Sequence, residues 1–273
     1  AIGALQLMLD RGQQQDWLQS PEIWIELIAC GLGLYLFVVH MTTTEHPYLP
    51  PRLFTDRNFV TGLVMIFVIG IILLATMALL PPYLQGLMGY PVLKTGYVLA
   101  PRGIGTMVSM FLVGRLMRRV DPRLLIFTGM VLTALSLWQM AQFTIDVPVR
   151  AIVVSGVVQG LGLGLIFVPL STLTFATLPG EYRTDATGLF SLLRNLGSSI
   201  GISLVVTLLA QNTQANHAIL AEHIDPLSPL LRAPLLPPQW SPDTAAGIAM
   251  LDREVTRQAE LLAYLYDFRL MMV

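Results

Sequence analysis

Residues 151–180 form a run of 30 residues without a single Asp, Glu, Lys or Arg. A helix at a protein–water boundary keeps one polar face, and no face of this run can supply one. About 20 apolar residues are enough for a helix to cross the hydrocarbon core, so the run predicts a membrane span over residues 151–174. Five other segments meet the same requirement: 23–41, 58–80, 95–114, 124–145 and 187–210. Shorter apolar pieces, 1–9 and 264–273, lie at the two ends, and both ends read as cut from a longer membrane protein. Barrel strands would need ten-residue polar–apolar alternation, which is absent. The fold class is therefore all-α, a polytopic transmembrane helical bundle.

Composition narrows the function. With 54% hydrophobic and 12% charged residues the chain is too apolar for an ordinary soluble protein. Its net charge of −1 argues against a nucleic-acid partner, which would call for a basic face. The single cysteine, Cys30, excludes an intrachain disulfide. No Cys/His cluster has metal-ligand spacing, and there is no Walker loop or strand-borne GxGxxG. Neither a cofactor nor a metal is expected.

Orientation follows from the cations. GRLMRRVDPRLL, residues 114–125, puts four arginines into a short turn between two spans. Cationic short loops stay cytoplasmic. With this turn inside, the loops 42–57 and 178–186 are inside too. Together they hold Arg52, Arg57, Arg115, Arg118, Arg119, Arg123 and Arg183, against Arg11, Lys94 and Arg150 in the short outer loops. Residues 211–260 then form a long outer segment. Its part 225–242 holds six prolines and is expected to be irregular; Ser241, Pro242 and Asp243 write a helix start leading toward the last span.

Two glycine series stand out. Gly156, Gly160 and Gly164 recur every four residues, as do Gly197 and Gly201. Small residues at this spacing let helix backbones approach closely in lipid. Static packing and faces that rock during transport are both compatible with the pattern. Arg194 lies seven residues inside its span, about 10 Å from the end at 1.5 Å per residue. A cation at that depth faces a cavity or partner, or snorkels to the interface. Arg102 lies at similar depth behind Pro101, which is expected to break the helix there. Apart from Glu26 near the start of 23–41, no complete span contains an acid to pair with either arginine. Tyr83, Gln85, Gln159 and Asn195 join Arg194 as candidate cavity-lining residues, and the thirteen methionines offer an adaptable apolar lining.

Four stretches then carry a resemblance: MLDRGQQQDWLQS (8–20), LPPYLQGLMGY (80–90), GRLMRRVDPRLL, and IFVPLSTLTFATLPGEYRTDATGLFSLLRNLGSSIG (166–201). Together, and in this order, they resemble the C-terminal part of an EmrB/QacA-type multidrug transporter. This is the fourteen-helix drug:proton antiporter branch of the major facilitator superfamily. GRLMRRVDPRLL is similar to the second copy of the superfamily's cytoplasmic loop motif, with Gly114 at the glycine position, Arg118, Arg119 and Arg123 at the basic ones, and Asp121 in the turn. Met117 stands where the motif has an acid.

The resemblance implies a domain plan. Residues 1–41 would be the helix pair inserted between two six-helix halves, and 42–57 a cytoplasmic loop. Residues 58–210 would be five helices of the C-terminal half, 211–260 a periplasmic loop, and 261–273 the start of the last helix. It implies a multi-pass protein of the bacterial inner membrane that exchanges small amphipathic substrates for protons. A periplasmic adaptor and an outer-membrane channel are implied partners, with 211–260 as a docking surface. The family's proton-binding acid would lie in the other half. A same-fold exporter of one physiological compound, such as a siderophore or fatty acid, is the alternative. A membrane-embedded enzyme is disfavoured, because Glu45, His46, Asp56, Asp121, Glu181 and Asp185 are scattered without catalytic spacing; no catalytic residue is assigned.

Overall fold

The computed structural model describes residues 1–15, 17–44, 51–222 and 244–272. Glu45, His46, the proline-rich stretch 225–242 and the helix start at Ser241–Asp243 lie outside them. Among the described residues there are eight α-helices and no strand: α1 (Ile2–Arg11), α2 (Pro21–Thr43), α3 (Arg57–Pro82), α4 (Val92–Leu116), α5 (Pro122–Met140), α6 (Val149–Ala176), α7 (Arg183–Glu222) and α8 (Ala245–Met272). Six of these, α2 to α7, are long and apolar enough to cross a membrane.

The helices close a ring. α3 packs on α7, α7 on α8, α8 on α5, α5 on α6, and α6 back on α3; α4 docks on the outside of α6. The pair α1–α2 leans on the ring through α1 and α7. α2 touches little else and leaves Ile25, Ile28, Leu32 and Tyr35 exposed, an apolar surface suited to lipid.

Three differences from the expected spans have local causes. The span 124–145 stops early: α5 ends at Met140, and the amides of Gln142 and Phe143 turn back to Gln139 and Met140. Pro101 does not break α4, which runs through it from Val92 to Leu116. A proline removes one backbone donor, and packing against a neighbouring helix can absorb that loss in a membrane bundle. Finally, the segment 211–260 is helical at both described ends, because α7 continues to Glu222 and α8 begins at Ala245. These extensions face each other, with His217 Nε2 3.0 Å from an Asp252 carboxylate oxygen.

The other end of the bundle is capped by acids. The Asp56 carboxylate accepts the Phe59 amide at 3.0 Å and starts α3. Asp121, within the arginine-rich turn, accepts the Arg123 amide at 2.8 Å and starts α5. A hydrogen bond from Thr177, then backbone amides of Phe59 and Asn58, hold the Asp56 carboxyl below its ordinary value of 3.8 against the opposing effect of burial. A depressed folded value means stability that is fully present above the ordinary carboxylate range and lost as pH falls through the folded value. Asp56→Ala is therefore expected to lower the thermal midpoint at pH 7 by an amount equal to about 1 kcal/mol. The gap between variant and wild type should close below about pH 4; melts of the detergent-solubilised pair across pH check this.

The stretch LPPYLQGLMGY has a structural reading. Pro81 and Pro82 interrupt the α-ladder of α3 and the chain widens into a π turn, Tyr83–Leu87. Gly89 then ends it with φ of 65°, a conformation that favours glycine. The Leu87 carbonyl accepts from Arg257 Nη2 of α8 at 3.0 Å.

Candidate functional site

Glycine decides how near the helices come. A Cβ on Gly160 would coincide with the Arg102 carbonyl, and one on Gly164 would lie 2.6 Å from Ser109 Cβ. Ser109 donates to the Leu161 carbonyl at 2.7 Å, tying α4 to α6 in the same groove. Gly156 has more room, its nearest neighbour being Arg102 Cβ at 3.6 Å. On α7, Gly197 sits against the Phe67 carbonyl, and a Cβ on Gly201 would lie 2.6 Å from that of Ile71. Thus one glycine series seats α4 on α6 and the other seats α7 on α3. Gly114 is different: nothing lies within 4 Å of where its Cβ would be.

Between these two close pairs lies a cavity of ≈ 640 Å³, walled by α3, α4, α6 and α7. Its size suits a drug-like molecule. Leu73, Met77, Met107, Met110 and Phe167 give it an apolar, largely unbranched lining. Arg102 and Arg194 are the two ionisable side chains on its wall. The Arg194 guanidinium carbon lies 5.8 Å from the Phe167 ring centroid, in reach of a cation–π attraction. Arg102 is 8% exposed, and its Nη2 is buried with no hydrogen-bond partner.

Of the five candidate lining residues, Arg194 borders this cavity. Its neighbour Asn195 is exposed, about 100° further round α7, and Gln85 is exposed in the π turn. Tyr83 is fully buried in an aromatic cluster with Phe143, Tyr264 and Phe268, and donates to the Thr144 carbonyl at 3.0 Å. Gln159 is inside the ring, donating to Thr76 Oγ1 at 3.3 Å while its own Oε1 has no partner. Arg118, Arg119 and Arg123 are exposed around the turn that Asp121 caps.

Two further residues belong to the interior without having been among the five candidates. Arg102 belongs to the cavity because α4 stays helical through Pro101. Asp267 is the other. It is fully buried on the inner face of α8, and both of its carboxylate oxygens lack a partner. Asp267 lies in the partial end segment 264–273, outside the complete spans. The next residue on that face, Met271, brings its sulfur to 3.9 Å from Thr76 Oγ1, so Thr76, Gln159 and Asp267 share the ring interior. The signal available was Asp267 on the same helical stripe as Tyr264, Phe268 and Met271, in a terminal stretch whose other charge is Arg269.

Fold and cavity together define a multi-pass helical membrane protein whose helices are seated on one another by glycine and line an open, small-molecule-sized space. The chain belongs to the Major Facilitator Superfamily, which it matches over residues 17–202. It is 31% identical over 230 residues to the multidrug export protein EmrB of Haemophilus influenzae, an overlap of 84% of this chain and 45% of the relative. It is 31% identical over 233 residues to the probable multidrug resistance protein EmrY of Escherichia coli, covering 85% and 46%. It is 34% identical over 230 residues to the fatty acid resistance protein FarB of Neisseria gonorrhoeae, covering 84% and 45%. The chain spans about half the length of these relatives.

Proposed function

We propose that this chain forms part of a proton-coupled exporter of amphipathic organic compounds in a bacterial inner membrane. The observation that carries this reading is the 640 Å³ cavity between two glycine-seated helix pairs, apolar apart from Arg102, Arg194 and Thr106. Relatives named for multidrug export support it. Asp267 supports proton coupling, since an acid kept inside a membrane bundle without a partner is a functional candidate. Catalysis has less support: Asp56 and Asp121 are helix caps, and Glu181 and Asp185 sit in the first turns around the start of α7. The paired extensions of α7 and α8 beyond the apolar spans are the surface a periplasmic adaptor, and through it an outer-membrane channel, would meet.

The test is drug accumulation in efflux-deficient bacteria expressing wild type or Arg194→Ala at equal membrane levels. We expect accumulation with the variant to approach that of cells lacking the protein. Equal export by both would remove Arg194 from the mechanism. A single physiological substrate of fatty-acid type is a second reading, favoured by the FarB relative and by the cationic cavity.

A further inference from the structure

We propose an alkali-cation site inside the helix ring, built on Asp267 of α8 and Gln159 of α6 beside Thr76 of α3, with sodium as the ion it takes. The site goes beyond the export reading and lies apart from the cavity, whose wall includes none of these residues.

Donors are what this interior lacks. Thr76, Ser136, Ser155, Gln159 and Asp267 are all fully buried. Each hydroxyl commits its one proton to a backbone carbonyl: Thr76 to Ile72 at 2.7 Å, Ser136 to Ser155 at 2.7 Å, and Ser155 to Ile152 at 2.9 Å. The Gln159 amide nitrogen donates to Thr76 Oγ1. The atoms of these residues left without a partner are Gln159 Oε1 and both carboxylate oxygens of Asp267, all of them acceptors. Thr76 connects the two sides, since its Oγ1 accepts from Gln159 and lies 3.9 Å from the Met271 sulfur, about one helical turn from Asp267.

No cationic side chain answers the carboxylate. Residues 58–82, 124–140, 151–176 and 195–216, the stretches of α3, α5, α6 and α7 that form the ring, contain no Lys, Arg or His. Arg269, on α8 itself, is exposed. The ion pairs among the described residues are Arg11–Glu22, His217–Asp252 and Arg257–Glu254, and none involves Asp267. Surroundings rich in oxygen acceptors suit a hard cation. A single carboxylate sets its charge: a monovalent ion leaves the interior neutral, whereas a divalent ion leaves a buried positive charge. A proton also neutralises Asp267, but it supplies one hydrogen bond for three acceptors. A cation faces all three.

The experiment follows the thermal midpoint of the whole chain in detergent at mildly alkaline pH. Sodium chloride replaces choline chloride at fixed ionic strength, and binding of radioactive sodium is measured alongside. Sodium is expected to raise the midpoint saturably, by about 3–6 °C once it exceeds its Kd about tenfold. Asp267→Asn, which keeps the side chain's shape, should abolish both the rise and the bound sodium. Gln159→Met, which keeps the length and removes the carbonyl acceptor, should weaken sodium binding roughly tenfold.

Equal midpoints in the two salts with no bound sodium would overturn the site. A sodium response that persists in Asp267→Asn would place the ion elsewhere and overturn it as well. A midpoint that answers to pH through Asp267 but not to sodium would leave the residue to protons alone, overturning the sodium assignment while the export reading stands. Drug accumulation has no part in these readouts, so a failure of the export reading would leave a measured sodium site in place.

Discussion

Gly160→Leu is expected to separate α4 from α6 and to unfold the cavity wall. The side chain would begin where the Arg102 carbonyl already is, with Thr106 N and Oγ1 both 3.0 Å from the same point. A rotamer change cannot relieve a clash with backbone, so the whole of α4 has to move. That movement would also break the Ser109–Leu161 hydrogen bond. We expect a loss of about 3 kcal/mol or more, beyond ordinary overpacking. For a chain of this size that is a fall of about 6–12 °C in the thermal midpoint. Gly180→Ala and Gly114→Ala are the controls, since nothing lies within 4 Å of a Cβ at either position; their midpoints should stay with wild type. Thermal stability followed by size-exclusion chromatography in detergent separates these outcomes. A Gly160→Leu variant as stable as the controls would show that α4 is not seated on α6 in this way.

Asp267→Asn should act in the opposite sense on stability. Neither Asp267 oxygen has a partner, and the side chain is fully enclosed by the ring. Removing the charge while keeping the shape relieves a group that the interior does not solvate. The Asn amide is still a buried polar group, so the gain is the difference between a charged and a neutral unsatisfied group, about 1 kcal/mol, or about 2–4 °C in midpoint. If Asp267 couples export to protons, the same variant should lose export of substrate against a gradient, and cells carrying it should accumulate more drug than wild type. Higher stability with lower export would mark a residue kept for work rather than for folding. A lower midpoint would show that the carboxyl is held by a partner, and would defeat this account.

How much of this was legible in the residues themselves differs by element. The apolar length of residues 58–80 and 151–174 was sufficient to place α3 and α6, because lipid leaves the backbone no alternative to a helix. Residues 211–222 carry no such signal. QNTQANHAILAE is polar, and its helicity comes from continuity with α7 and from packing against α8. The glycine spacing announced close approach but not the partner, since Gly160 meets a carbonyl of Arg102 that is 58 positions away in sequence. Asn195 stands next to Arg194 and close to the Gly197 face, yet adjacent residues on a helix face different directions. The cavity position of Arg102 and the burial of Asp267 were missed for opposite reasons. The first sat behind a proline that the packing overrides. The second belongs to a helix whose other charges, such as Asp252 and Arg269, mask its buried stripe.

The seating of backbone directly on backbone also governs how this part of the molecule can deform. Side chains between helices act as cushions, because rotamers absorb small displacements; a glycine against a carbonyl has none. α4 and α6 therefore shift as one stiff plate, and α3 and α7 as another. The two plates touch closely at Gly62, whose Cβ position is occupied by the Thr174 side chain, near the end of the bundle that carries the arginine-rich turn. The two plates are therefore most tightly constrained against each other at this junction, and least so at the end farthest from Thr174.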